Sequence, residues 1–322
     1  MKAIPITATG GPEVLTLADI ATRDPGPGEI RIRHEAIGVN FIDTYHRSGL
    51  YPVPLPSGLG LEGAGIVDAV GDGVSRFSVG DRAGYCTGPI GAYSESHVVP
   101  GDRAVRLPDA VSSDAAASSL LKGMTARYLL RATFELGPDH VAVVHAAAGG
   151  VGQIAVQWAK HLGATVIAVV GSEPKADIAR NLGADHVVLS SEPLAERVKA
   201  ITHGKGADVV YDSVGKDSFF ASLDCLAPLG MMVSYGNASG PPPALEVGLL
   251  SQKGSLFLTR PTLFHYTRTP ELLQKTADDL FAVLQSGAVK IAPPTIFALA
   301  EAADAHRALE ARATTGSQIL TP

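Results

Sequence analysis

From Val141 onward the sequence alternates short, almost unbroken apolar runs with helical stretches, a rhythm that few folds accommodate. Val141 to Val144 leads into a helical stretch from Val151 to Leu162, and Thr165 to Val170 into one around Lys175 to Leu182. His186 to Leu189 and a helix near Leu194 to Ile201 repeat the pattern, and Asp208 to Tyr211 and Met231 to Tyr235 continue the strands. Strands that are apolar on both faces are buried on both faces, so the pattern predicts a doubly wound parallel sheet of the α/β class. Where the first strand becomes the first helix, the chain reads His145-Ala146-Ala147-Ala148-Gly149-Gly150-Val151-Gly152. Three glycines there let the backbone turn sharply, approach a pyrophosphate and seat the helix on the sheet, while the helix N-terminus supplies positive partial charge. The spacing predicts a Rossmann-type dinucleotide-binding unit.

The first hundred residues have a different texture. Glu29-Ile30-Arg31-Ile32-Arg33 alternates charge with isoleucine, as a half-buried strand requires. Ile66 to Val70 ends at Gly71-Asp72-Gly73, and Pro25-Gly26-Pro27-Gly28 and Gly80-Asp81 mark further turns. A helix is expected from Ser112, Ser113 or Asp114 through Leu129, a strand at Ser255 to Thr259, a long helix from Pro270 to Ser286 and a last strand at Gln318 to Leu320. At 322 residues the chain exceeds the roughly 250–300 at which one core stops growing, so two domains are expected.

Twenty-six basic against 32 acidic residues give a net charge of −6, and no Lys/Arg run forms the footprint of a DNA or RNA binder. Cys86 and Cys225 lie far apart and outside any C-x-x-C spacing, which argues against a disulfide framework and a thiolate zinc cluster alike. No apolar run approaches the ~20 residues of a membrane span, and the start shows no signal segment. A cytoplasmic location is the expectation.

The end of the second strand bears on the cofactor. NAD-dependent enzymes place an Asp or Glu there, about 20 residues beyond the turn, to hold the ribose 2′-hydroxyl. This chain has Gly171-Ser172-Glu173-Pro174-Lys175. Small residues leave room for a 2′-phosphate, Ser172 offers a hydroxyl and Lys175 a cation, so NADPH is favoured over NADH; Glu173 is the feature that pulls the other way.

Gly58-Leu59-Gly60-Leu61-Glu62-Gly63-Ala64-Gly65-Ile66-Val67 resembles the G-H-E-x-x-G-x-V segment of medium-chain dehydrogenase/reductases, with Leu61 where zinc-dependent members carry a His ligand. Gly38-Val39-Asn40-Phe41-Ile42-Asp43 resembles the segment of their first zinc cysteine, with Asn40 in its place. Neither side chain is an ordinary zinc ligand, so no metal is expected. Together with Tyr211-Asp212-Ser213-Val214-Gly215 and Gly236-Asn237, these strings are similar to the zinc-free quinone oxidoreductases of the zeta-crystallin group along essentially the whole chain.

The resemblance implies a Rossmann-type domain (120–261) inserted in a β-rich, GroES-like catalytic domain formed by both chain ends (1–119 and 262–322). It also implies a homodimer or higher oligomer joined at cofactor-domain edges. Carried over position by position, it places Phe41, Ile42, Asp43 and Tyr45 on the nicotinamide side, with Thr125 and Tyr128 nearby. Gly149, Gly150, Val151, Gly152, Gln153 and Ile154 would wrap the pyrophosphate. Gly171, Ser172, Lys175 and Ser190 would face the 2′-phosphate, although close relatives tend to carry a Tyr where Ser190 stands. Ser213, Val214, Gly236, Asn237, Leu258, Thr259, Arg260 and Pro261 would meet the nicotinamide ribose and carboxamide, and Arg312 would reach the cofactor from the C-terminal segment.

Hydride transfer needs the nicotinamide C4 held about 3–3.5 Å from an electron-poor acceptor in a dry site. A quinone is already electrophilic and needs no Lewis acid, which suits a chain without zinc ligands. Asn40, Tyr45 and Tyr51 are the candidates to orient or polarise a quinone oxygen, either tyrosine being able to relay a proton. Reduction of an α,β-unsaturated ketone or aldehyde is the neighbouring alternative; a non-catalytic, crystallin-like NADPH binder that contacts RNA is the alternative of another class.

Overall fold

A computed structural model describes residues 1–311 and 315–322 of the chain. It divides into two units: Met1–Met124, Thr267–Gln285 and Ile291–Pro322 form the first, Thr125–Tyr266 and Ser286–Lys290 the second. In chain order the elements are β1 (Lys2–Ala3), β2 (Ala18–Asp19), β3 (Glu29–Val39), α1 (Phe41–Ser48), β4 (Glu62–Val70), β5 (Arg82–Tyr85), β6 (Ser96–Pro100), β7 (Ala104–Arg106) and α2 (Ser113–Tyr128). There follow β8 (Val141–His145), α3 (Gly150–His161), β9 (Thr165–Val170), α4 (Glu173–Asn181), β10 (His186–Leu189), α5 (Leu194–Ile201), β11 (Ala207–Asp212) and α6 (Phe219–Asp224). The remainder comprises β12 (Leu226–Ser234), α7 (Gly248–Gln252), β13 (Phe257–Thr259), α8 (Leu263–Tyr266), α9 (Pro270–Gln285), β14 (Thr295–Ala298), α10 (Ala302–Glu310) and β15 (Gln318–Thr321).

The first unit is built on β3, whose charged and apolar residues alternate so that Ile30 and Ile32 are fully buried while Arg31 and Arg33 face outward. Its sheet runs β14-β15-β3-β4-β5-β7, with β6 paired to β3; β14 and β15 are parallel and the other pairings antiparallel. Ile4, Ile6, Ile37, Leu59, Val67, Tyr85 and Tyr93 close its core. Each such side chain contributes about 1.5–3 kcal/mol by leaving water.

In the second unit the strands are parallel in the order β10-β9-β8-β11-β12-β13. The order reverses between β8 and β11, and ligands of open α/β sheets bind outside the carboxyl ends of strands at such a reversal. Val143, Ile167, Val169, Val188, Val210 and Met232 fill the core, which explains why these strands read as unbroken apolar runs. Ser255, read as the start of a strand, has φ 57°, a left-handed conformation no strand residue adopts, so β13 begins only at Phe257. The short helix α6, which buries Phe219 and Leu223, has too few turns to show a readable period.

Candidate active site

The glycine-rich turn of the second unit is held from both sides. Ala146 takes a left-handed conformation (φ 49°), its carbonyl accepts the Gly149 N–H at 2.8 Å, and Ala147 N–H donates to Val169 O at 3.2 Å. A Cβ on Gly152 would stand 2.3 Å from Ala146 O and 2.7 Å from Ala147 Cα, so only glycine lets α3 start this close to the strand. Gly149 is the N-cap of α3; its carbonyl accepts Gln153 N–H at 2.8 Å, and no side chain caps the helix. The first-turn N–H groups therefore have no protein side chain competing for them, the donor set a pyrophosphate needs. Gln153 turns its amide back onto Ala148 O at 2.9 Å and Ile154 is buried in the core, so both side chains are turned to the protein.

At the end of β9, Gly171 is exposed and Ser172 is the N-cap of α4 without a capping bond from its side chain. Glu173 lies 3.6 Å from Arg180, which also binds Asp177 at 2.7 Å. The acidic residue that pulled toward NADH thus has a cation on its own helix. Lys175 is half-buried in the same first turn, and Ser190 N–H donates to Val170 O at 2.8 Å, which brings Ser190 beside Gly171.

At the end of β11 a buried network fixes the next loop. Asp212 Oδ1 accepts the N–H groups of Val214 (2.7 Å) and Gly215 (3.1 Å), and its Oδ2 accepts the hydroxyls of Ser218 and Ser222 at 2.7 Å each. Ser222 also meets His145 Nε2 at 2.9 Å, and burial lowers the His145 pKa, so this histidine is a neutral core residue. Gly236 packs so tightly on Ser213 that a Cβ would lie 2.4 Å from its carbonyl oxygen. Arg260 donates to the carbonyls of Ser234 (2.9 Å) and Gly236 (3.1 Å), which ties Pro261 and β13, with Leu258 and Thr259, to the Gly236-Asn237 loop. On α2, Tyr128 is buried and stacks on Tyr266 with ring centroids 4.6 Å apart, and Thr125 stands one turn earlier on the same helix. Arg312 lies outside the described residues.

In the first unit Asn40 is the N-cap of α1, and the helix places Phe41 and Tyr45 one turn apart. Tyr45 and Tyr51 meet edge to face at 5.2 Å, so Phe41, Tyr45 and Tyr51 form one half-buried aromatic group. Asn40 itself is buried and donates through Nδ2 to Glu62 Oε2 at 2.7 Å. Glu62, wholly buried, accepts Leu121 N–H at 2.7 Å on its other oxygen and lies 3.7 Å from the Lys122 ammonium. Burial pushes the Glu62 carboxyl up, opposed by Lys122, Asn40 and Leu121. Leu61, in the position of the metal-binding histidine, is buried beside it, and among the described residues no group of three or more His, Cys, Asp or Glu is placed to hold a metal ion. Glu62 and Lys122 escaped the sequence reading, yet each is a lone charge in an apolar or glycine-rich run, a signal that a buried partner exists.

Asp43 is also wholly buried; its Oδ2 accepts Asn40 N–H at 2.9 Å and the Tyr93 hydroxyl at 3.0 Å. Burial raises its pKa to about 7, from an ordinary 3.8. Between about 4 and 7 the folded chain therefore holds a proton that the unfolded chain has given up, and Asp43 costs stability as pH rises through that window. Asp43→Asn keeps both hydrogen bonds and cannot ionise. Its unfolding midpoint should equal the wild type's near pH 4 and exceed it at pH 8, read by denaturant titration at both pH values; a difference that does not change with pH contradicts the assignment.

A dinucleotide-binding parallel sheet and a β-rich unit assembled from both chain ends define a medium-chain dehydrogenase/reductase. Residues 26–109 match the alcohol dehydrogenase GroES-like domain and residues 150–280 the zinc-binding dehydrogenase family. The chain is 56% identical to a quinone oxidoreductase of Pseudomonas aeruginosa over 100% of its own length and 99% of that protein's. It is similar, at 49% identity, TM-score 0.98 and full coverage of both chains, to the crystal structure of an Escherichia coli quinone oxidoreductase complexed with NADPH. A 2-haloacrylate reductase of a Burkholderia species is 45% identical over 100% of this chain and 99% of that protein. The chain belongs to the quinone oxidoreductase family of the medium-chain dehydrogenases/reductases.

Proposed function

We propose that the chain is an NADPH-dependent quinone reductase. The observation that carries this reading is the end-to-end likeness, at 56% identity, to a quinone oxidoreductase. The residues fit the cofactor: the turn that admits only glycine at 152 and the uncapped start of α3 suit a pyrophosphate, and Ser172 with Lys175, beside a Glu173 engaged by Arg180, suits a 2′-phosphate. Bound NADPH supplies the hydride. The second unit's turn and loops hold and orient it; in the first unit Asn40, with its amide fixed by Glu62, meets an acceptor oxygen flanked by Tyr45 and Tyr51, one of which gives that oxygen the single proton that completes the hydroquinone.

Reduction of an activated carbon–carbon double bond is the second reading, favoured by the full-length likeness to 2-haloacrylate reductase. Comparing kcat/KM for naphthoquinones and for enones or haloacrylates, with NADPH in each case, separates the two. Faster quinone turnover is the expected result; faster enone turnover transfers the assignment, and no turnover with either leaves only a binding protein. Lys175→Ala should weaken NADPH more than NADH by about tenfold or more, the value of one charge-assisted hydrogen bond, measured as the ratio of their dissociation constants. An unchanged ratio removes Lys175 from the 2′-phosphate site.

The reading includes a homodimer joined along β13. This strand ends the parallel sheet, and Phe257 on it, with Leu229 and Val247 in the same unit, is exposed. Light scattering of Phe257→Lys should report a monomer where the wild type is a dimer. No described helix is long and apolar enough to cross a membrane, and we assign the activity to the cytoplasm.

A further inference from the structure

Behind α1, in the first unit, four buried side chains form a line that the proposed reaction leaves unexplained. Arg47 Nη1 lies 3.0 Å from His306 Nδ1, His306 Nε2 lies 2.9 Å from the Tyr93 hydroxyl, and that hydroxyl lies 3.0 Å from Asp43 Oδ2. Relative exposures are 3% for Arg47, 0% for His306, 1% for Tyr93 and 0% for Asp43. At its outer end Arg47 forks onto Glu310 at 2.6 and 3.2 Å, and its Nε donates to Gly10 O at 3.1 Å.

The direction of every link follows from its first member. A guanidinium only donates and does not deprotonate in proteins. His306 Nδ1 must therefore accept, which leaves the ring neutral with its proton on Nε2, and burial together with Arg47 lowers its pKa to about 3. Nε2–H donates to Tyr93, and the Tyr93 proton is directed onto Asp43. Asp43 Oδ2 thus receives two donors, from Tyr93 and Asn40, while Oδ1 is buried with no partner among the described residues. The Tyr93 ring reaches this position because Gly60 has no side chain: a Cβ there would stand 2.3 Å from Tyr93 Cδ1. The glycine of the Gly58-Leu59-Gly60 string therefore serves this line.

We infer that Arg47, His306 and Tyr93 form a one-way hydrogen-bond chain that positions Asp43, and that the protonation state of Asp43 gates acceptor reduction by setting the first turn of α1. The inference rests on the quinone reductase reading for the reaction it gates. Asp43 is the third residue of α1, and as a carboxylate it holds the Asn40 N–H and completes the helix N-terminus with negative charge. On protonation the proton settles on Oδ1, the oxygen without donors, and Oδ2 becomes a weaker acceptor for Asn40. Tyr93, His306 and Arg47 are positioning residues in this scheme. The other charged groups acting on Asp43 are Glu62 from β4, which favours the protonated form, and Lys122 from α2, which opposes it.

The test is the pH profile of quinone kcat/KM for wild type, Tyr93→Phe, His306→Gln and His306→Met, with pH-dependent unfolding of each as a second readout. Glutamine accepts from Arg47 and donates to Tyr93, so His306→Gln should keep the wild-type profile, whereas Tyr93→Phe should move the acid limb up by about one pH unit, the value of one hydrogen bond to a charge. His306→Met should move it the same way. In unfolding, the pH at which stability stops falling should rise in the same two variants, a readout that needs neither NADPH nor a quinone. Folded Tyr93→Phe and His306→Met proteins with wild-type profiles in both readouts overturn the inference. Absence of turnover in the wild type would sink the quinone reading while the unfolding series still decides the chain.

Discussion

Lys122→Met is expected to lower the unfolding free energy by about 3–5 kcal/mol, the cost of removing one partner from a buried ion pair. Glu62 would lose its nearest cation while keeping the amide of Asn40 and the N–H of Leu121. It has no route to water, since its own exposure is 0% and that of Lys122 only 7%. Much of the loss should return in the double variant Glu62→Gln with Lys122→Met, because a neutral amide in that position needs no cation. Denaturant titration of the single and double variants measures both effects. A double variant as unstable as the single one would mean that the lysine stem, and not its charge, holds this region.

Gly152→Ala should weaken NADPH binding by about tenfold to a hundredfold, equivalent to the roughly 1–3 kcal/mol of overpacking a well-packed interior. The methyl group would sit 2.3 Å from a carbonyl oxygen and 2.7 Å from a Cα, both backbone atoms that no rotamer change can move away. The turn must shift, and the N–H groups that start α3 shift with it. Titration calorimetry with NADPH reads the effect, and unchanged circular dichroism separates it from unfolding. Wild-type affinity in a folded Gly152→Ala protein would contradict the role given to this turn.

The second unit was legible in the sequence because its signals are local. Strands β9 and β10 and helix α5 match their expected bounds, since unbroken apolar strands and periodic helices carry their identity in adjacent residues. The turn at Gly149 to Gly152 was legible for the same reason. The boundary at Ser255 failed because backbone handedness leaves no mark in hydrophobic pattern. In the first unit, Asn40, Tyr45 and Tyr51 are close in sequence and were read together. Their support was not legible: Glu62 and Lys122 are separated by β5, β6 and β7, and His306 reaches Tyr93 from the far end of the chain. Neither pairing follows from spacing, because each depends on which loops the sheet of β3 and β4 brings together. The lone charge in Gly58 to Val67 marked a buried site without naming its partner.

The most direct test is oxidation of NADPH by a naphthoquinone under anaerobic conditions, run with a chelator present and repeated with NADPH deuterated at the transferred C4 position. The account predicts turnover that the chelator leaves unchanged and that deuterium slows, because C–H cleavage delivers the hydride to the acceptor that Asn40, Tyr45 and Tyr51 are proposed to hold. No turnover with any quinone, or turnover that the chelator abolishes, would contradict it.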